Sequence, residues 1–200
     1  MLRVYGMSAS GNCHKVRMAL EALARPYAWT EIDPARGDTR TPEFLAMNPN
    51  GKVPVLEIEP RTYLPESNAI LWYLADGTPL LPTDALQRAQ VLQWLFFEQY
   101  SHEPYIAVAR FLRKFHPDPE SQRALADSKM NGGYRALEVM EGRLAQEPFF
   151  VGGRYSIADI ALYAYTHVAD DGGFDLGRLP AVRAWLERVR AQPGYAAMPA

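Results

Sequence analysis

The chain has 200 residues, enough for one large domain or two small ones. Its 21 basic and 23 acidic residues leave a formal net charge of -2 with no Lys/Arg run suited to phosphates, which argues against nucleic acid as a partner. Cys13 is the single cysteine, so no intramolecular disulfide framework can form. The first residues show no charged segment leading into a long apolar stretch, and the run Ala69 to Ala75 is far short of the ~20 residues a membrane span needs, so a reducing, cytoplasmic home and no membrane partner are expected.

Leu2-Arg3-Val4-Tyr5 alternates as a strand does, and a Gly/Ser-rich turn from Gly6 to Gly11 leads into a helix-period pattern of Val16, Ala19, Leu20 and Leu23. Pro26 ends that helix. Tyr27 to Ile32, rich in aromatic and β-branched residues, predicts a second strand and a parallel, right-handed βαβ unit. Thr41-Pro42-Glu43 pairs a capping residue with proline at the first helical position, so a short helix follows with Phe44 and Leu45. Val53 to Ile58 and Thr62 to Leu64 flank a turn and predict an antiparallel hairpin. A third helix runs from about Glu66 to Ala75 and stops at the breakers Asp76 to Pro79. Beyond Pro82 the period is helical throughout, which predicts an all-α second part. Its clearest start is Ser156-Ile157-Ala158-Asp159, a capping box with Tyr155 and Ile160 placed for a hydrophobic staple, leading into an apolar run buried nearly all round.

Several residues have the chemistry of a ligand site. Pro54 opens a strand, where a cis peptide bond would leave the N–H and C=O of Val53 to pair with an extended ligand; an ordinary edge-strand proline is the other reading. Pro65-Glu66-Ser67 opens a helix whose N-terminus attracts a carboxylate, and Ser67 also suits a simple cap. The four histidines, His14, His102, His116 and His167, have no metal-ligand spacing, so no metal is expected. Ser101-His102-Glu103 contains the residue types of a triad, but neighbours one and two apart on a helix do not face each other.

Asn48-Pro49-Asn50-Gly51-Lys52-Val53-Pro54-Val55-Leu56, then Leu64-Pro65-Glu66-Ser67-Asn68-Ala69-Ile70, then Ser156-Ile157-Ala158-Asp159, in that order, resemble the cytosolic glutathione S-transferase family over essentially the whole chain. The resemblance implies an α/β thioredoxin-like domain, βαβ-ββα with a mixed four-stranded sheet, at 1–76. A linker at 77–83 and an all-helical domain at 84–200 forming the electrophile site would follow. It also implies glutathione as co-substrate, a hydrophobic electrophile as acceptor, and a two-fold homodimer. Val53, before Pro54, looks like the residue that pairs with the cysteinyl part of glutathione. Glu66 and Ser67 resemble the pair at the γ-glutamyl end, and Lys52 a contact to the glycyl end. Aligned with serine- and cysteine-type members, Ser10 falls on the thiol-activating position. A hydroxyl and a helix N-terminus there would both favour a thiolate. Asn12 looks like an asparagine that some bacterial members place beside the sulfur, and also suits a helix N-cap. Cys13, one turn into the helix, reads as packed filler; a reactive thiol there would make the protein a thiol-disulfide exchanger. His102, Tyr105 and Arg110 are expected at the acceptor pocket, with solvated face or core as the alternative. Disulfide or peroxide reduction, or a non-catalytic glutathione-binding regulatory module, are the rival functions.

Overall fold

The structure is a computed structural model that describes residues 1–199. Its contacts divide the chain into two compact units, one of Met1–Asp76 with the segment from Gln192 onward, the other of Gly77–Ala191. The last segment joins the first unit because Gly194, at φ +71°, lies directly against the backbone of Glu21 and Ala22, too close for any side chain.

In the first unit the strands β1 (Leu2–Gly6), β2 (Tyr27–Glu31), β3 (Val55–Glu59) and β4 (Thr62–Pro65) form one sheet in the order β2-β1-β3-β4. β1 pairs in parallel with β2, Leu2 opposite Tyr27, and antiparallel with β3, Val4 opposite Leu56, while β3 and β4 close the expected hairpin with Leu56 opposite Leu64. The helix α1 (Gly11–Ala22) makes the β1–β2 crossover and packs on α3 (Ser67–Ala75); Val16, Ala19 and Leu20 of α1 and Ile70, Leu71 and Leu74 of α3 are wholly buried. Between them lies the short α2 (Pro42–Met47), capped by the Thr41 hydroxyl, which accepts from the Phe44 N–H at 3.2 Å. This is the mixed βαβ-ββα arrangement expected from the sequence, and the second unit is helical as expected.

The second unit begins with α4 (Ala85–Phe97) and α5 (Glu103–Arg110), joined through a π-helical turn at Glu98–His102, and a second such turn at Phe111–Phe115 extends α5. Pro104, which lacks an N–H, sits in the first turn of α5, so the widened turn falls where a regular ladder would miss a donor. Three more helices follow: α6 (Arg123–Leu144), α7 (Ile157–Thr166) and α8 (Pro180–Arg190). Every residue of α7 is buried, which makes it the core helix of this unit, and its N-terminus carries the expected capping box. The Asp159 carboxylate accepts from the Ser156 N–H at 3.0 Å, and also from the Phe150 N–H and the Trp185 indole, so the local cap doubles as the joint holding α8. The Tyr155 ring meets that of Phe149 edge to face.

Candidate functional site

The β1–α1 loop of the first unit carries Ser10. Ser10 is the N-cap of α1: its backbone is extended, its Oγ accepts from the Cys13 N–H at 3.4 Å, and its own N–H is held by the Met7 carbonyl at 3.0 Å. Asn12, weighed as a cap from the sequence, is instead inside the first turn. The loop is clamped from β2 by Glu31, which accepts from the Ser8 N–H and hydroxyl, both at 2.7 Å, and from the Trp29 indole at 2.7 Å; Arg17 donates to the Ser8 hydroxyl and lies over the Trp29 ring. Burial alone would raise the Glu31 carboxyl, but these donors and the nearby Arg17 outweigh it and hold the group below its ordinary range.

Cys13 is fully buried, and its Sγ accepts from the Met7 N–H at 3.3 Å. Burial pushes the thiol up to about 12, against the smaller opposing pull of hydrogen bonds from Ser10 and Met7. At neutral pH such a group is a thiol, and thiols are poor nucleophiles.

The Val53-Pro54 peptide bond is cis, and Val53 lies just ahead of β3, whose pairing begins at Val55. The loop leading to it is built by the buried Asn48, whose Nδ2 donates to the Lys52 carbonyl at 2.8 Å and whose Oδ1 accepts from the Asn50 N–H at 3.1 Å. Gly51 turns this loop at φ +63°, with the Thr39 carbonyl and the Arg40 guanidinium where a Cβ would stand. The Lys52 side chain is exposed.

Glu66 adopts φ +71° at the N-cap of α3 and makes no side-chain cap bond. Ser67 is buried as the first helical residue, and its hydroxyl points across to α1 instead of capping α3: it donates to Asn12 Oδ1 at 3.3 Å and accepts from Lys15 Nζ at 3.3 Å. Thus the first unit brings Ser67, Asn12 and the α1 N-terminus capped by Ser10 into one bonded group. Lys15 is the member that sequence reasoning passed over. Its signal is helical spacing, since positions 15, 18 and 19 share the buried face of α1.

The three residues expected at the acceptor pocket are not brought together on one surface. His102 is buried, with Nε2 2.9 Å from the Thr166 hydroxyl of α7, and Arg110 is nearly buried, donating from Nε to Asp171 at 2.9 Å. Both hold the helical unit together. Tyr105 lines a cavity of about 290 Å³ with Phe97, Tyr100, Gly132 and Arg135, its ring lying so close to Gly132 that no side chain could stand there. Among the described residues no cluster of His, Cys, Asp or Glu is arranged to hold a metal ion, and no helix is long and apolar enough to cross a membrane.

Residues 9–76 match the N-terminal domain of glutathione S-transferases, and residues 94–193 match the C-terminal domain. The chain belongs to the glutathione S-transferase family. Among solved structures, a glutathione S-transferase from Pseudomonas fluorescens Pf-5 is 55% identical with a TM-score of 0.97, covering 100% of this chain and 99% of that one. A glutathione transferase from Burkholderia graminis, solved with two glutathione molecules bound per subunit, is 30% identical with a TM-score of 0.84, covering 96% of this chain and 85% of that one. The disulfide-bond oxidoreductase YfcG of Escherichia coli K12 is 33% identical over 190 residues, which is 91% of this chain and 87% of that protein. The first unit is accordingly the thioredoxin-like domain of a glutathione S-transferase, and the second its helical domain.

Proposed function

We propose that this glutathione S-transferase family member is a serine-type glutathione transferase, in which Ser10 stabilises the thiolate of bound glutathione for attack on a hydrophobic electrophile or a peroxide. The observation that carries the reading is the bond between Ser67 and Asn12, which ties the N-terminus of α3 to the turn of α1 that Ser10 caps. These residues fit the ligand chemically. Glutathione has two carboxylates, an ammonium and a thiol; the α3 N-terminus and Lys52 suit the carboxylates, Glu66 suits the ammonium, and the Val53 main chain suits the extended cysteinyl unit.

When bound, glutathione supplies the nucleophilic sulfur. The protein's part is to hold it and keep it ionised. The Ser10 hydroxyl has one hydrogen and two lone pairs; the Cys13 N–H occupies a lone pair, and the hydrogen rotates to whichever acceptor is nearest. Donation from Ser10 and the positive end of α1 both favour the charged form of a thiol, and Asn12 adds a second donor. No covalent enzyme intermediate is required. Acceleration comes from thiolate population and from holding two reactants together. The helical unit supplies the acceptor site, with Tyr105 its residue open to a cavity, and the chain works in the cytoplasm as a homodimer.

A second reading, glutathione-dependent disulfide reduction, is favoured by the likeness to YfcG, a disulfide-bond oxidoreductase by name. In that case bound glutathione itself carries the exchange, because the Cys13 thiol is held protonated inside the core. Conjugation of an aromatic electrophile, reduction of hydroxyethyl disulfide and reduction of an organic peroxide, each assayed with wild type, Ser10→Ala, Ser10→Thr and Cys13→Ala, test both. Ser10→Ala is expected to lose roughly 10- to 100-fold, in line with a thiol pKa regained by one to two units, while Ser10→Thr and Cys13→Ala keep most activity. Collapse in Cys13→Ala would overturn the serine reading; glutathione binding with no turnover of any of the three substrates would leave a binding module.

A further inference from the structure

Met7, Ser8, Ala9 and Ser10 form a turn closed by the Ser10 N–H on the Met7 carbonyl at 3.0 Å, so Ser10 is at once the last residue of that turn and the cap of α1. Ser8, inside the turn, gives both of its donors to Glu31: its N–H to Oε1 and its hydroxyl to Oε2, each at 2.7 Å. Glu31 ends β2, where its backbone lies opposite Gly6 of β1, so the carboxylate reaches the turn from a position fixed by the sheet. The Trp29 indole N–H also falls on Oε2, at 2.7 Å. Three hydrogens thus converge on two oxygens, and a carboxylate, an acceptor at both, satisfies all of them. An amide would not: whichever way it turned, its NH2 would face either the Ser8 N–H or the Trp29 N–H.

We propose that Glu31 is a positioning residue: by holding both donors of Ser8 it locks the turn that carries Ser10, and so aims the Ser10 hydroxyl at the sulfur of bound glutathione. The inference rests on the glutathione reading and deepens it. Arg17 supports the latch from α1, donating to the Ser8 hydroxyl oxygen at 3.3 Å and lying over the Trp29 ring. Released from Glu31, Ser8 loses its fixed point on the sheet, and the hydroxyl two residues further on is aimed only part of the time. The sign of the result separates this role from a plain charge effect. A nearby negative charge disfavours a thiolate, so removing the Glu31 charge by itself would lower the pKa of the bound thiol, whereas losing an aimed donor raises it. Glu31 is exposed, so water and salt screen its field, while the Ser10 hydroxyl meets the sulfur directly; the rise should win.

Glu31→Gln keeps the size of the side chain and leaves one N–H facing an amide NH2. Ser8→Ala removes the hydroxyl bond with the Glu31 charge in place, and carries the test if Glu31→Gln does not fold. The ultraviolet absorbance of the bound glutathione thiolate should titrate higher in both, by up to about one pKa unit in Glu31→Gln, which is about tenfold less thiolate below that pKa, and by about half a unit in Ser8→Ala. Affinity for S-methylglutathione, which has no ionisable thiol, should change by less than about threefold, because neither residue is among those assigned to hold the ligand. Adding Trp29→Phe to Glu31→Gln removes the indole N–H. The amide then accepts from the Ser8 N–H and donates to the Ser8 hydroxyl oxygen, and the titration should return toward that of Trp29→Phe alone. A thiol titration that falls or stays put in Glu31→Gln overturns the proposal, as does a rise that is equal with and without the Trp29 indole. In the free proteins the Ser10 amide hydrogen should exchange with water at least about tenfold faster in Glu31→Gln than in wild type. If wild type binds no glutathione, the functional reading fails, and this exchange alone judges the latch, equal rates overturning it.

Discussion

Replacing Asp159 by alanine strips a buried acceptor from four donors at once. Its Oδ1 takes the Phe150 N–H (3.2 Å) and the Trp185 indole N–H (3.0 Å), and its Oδ2 takes the Ser156 N–H (3.0 Å) and hydroxyl (3.1 Å). The hydroxyl can turn elsewhere, but the other three donors would be left in the interior; at about 1–3 kcal/mol each, the gross loss is roughly 6 kcal/mol. Against it stands the penalty of holding a carboxylate out of water, since burial pushes the Asp159 carboxyl from 3.8 up to about 6 although its hydrogen bonds pull the other way. That rise of about two units corresponds to about 3 kcal/mol at neutral pH, so Asp159→Ala should lose about 3 kcal/mol net. Asp159→Asn keeps a carbonyl for Phe150 and Trp185 and removes the charge, and should lose about 1 kcal/mol or less. The pH sign follows from the raised pKa: this group's stabilisation is complete below the unfolded value of 3.8 and is lost as pH rises through about 6. The gap between wild type and Asp159→Ala should therefore widen by roughly 1 kcal/mol between about pH 7 and about pH 5. Urea unfolding at fixed protein concentration, read by tryptophan fluorescence to which Trp185 contributes, measures all three quantities. Equal losses for Ala and Asn, or an Ala gap that ignores pH, would refute the reasoning.

Two further outcomes are expected. Asp171 accepts from Lys114 and Arg110; burial alone would raise its carboxyl, but those bonds outweigh it and hold the group below its ordinary range. The stability it contributes should be present at neutral pH and fade as pH falls through the folded value, so the difference between wild type and Asp171→Asn should shrink on acidification; a difference constant with pH would speak against the ion pair. Gly51→Ala forces a side chain into a left-handed turn already filled by Arg40 and the Thr39 carbonyl, and should lose about 1–3 kcal/mol in urea unfolding while weakening glutathione binding through the shifted Lys52–Val53 segment; unaltered unfolding would show that the loop accommodates a Cβ.

Much of the fold was legible because its signals are local. The Thr41-Pro42 start, the hairpin around Pro60 and the Ser156–Asp159 capping box each depend on residues within a few positions of one another, and the structure has them as read. The acceptor pocket was not legible in this way. His102 and Arg110 carry polar groups on a helix, which by themselves suit a pocket, a surface or an interior equally; contacts with Thr166 and Asp171, some sixty residues on, place them inside.

The sequence by itself determined the order of strands and helices, the caps and breaks between them, and the family, because backbone propensity and capping are decided over one turn or one hairpin. Only the tertiary structure decided that Ser67 bonds to α1 instead of capping its own helix, that the Cys13 thiol is sealed in the core, and that the buried Lys15 donates to Ser67. The physical reason is separation: Lys15 and Asn12 meet Ser67 across 52 and 55 residues of chain, and a hydroxyl's hydrogen goes to whichever acceptor the packing of two helices brings within reach.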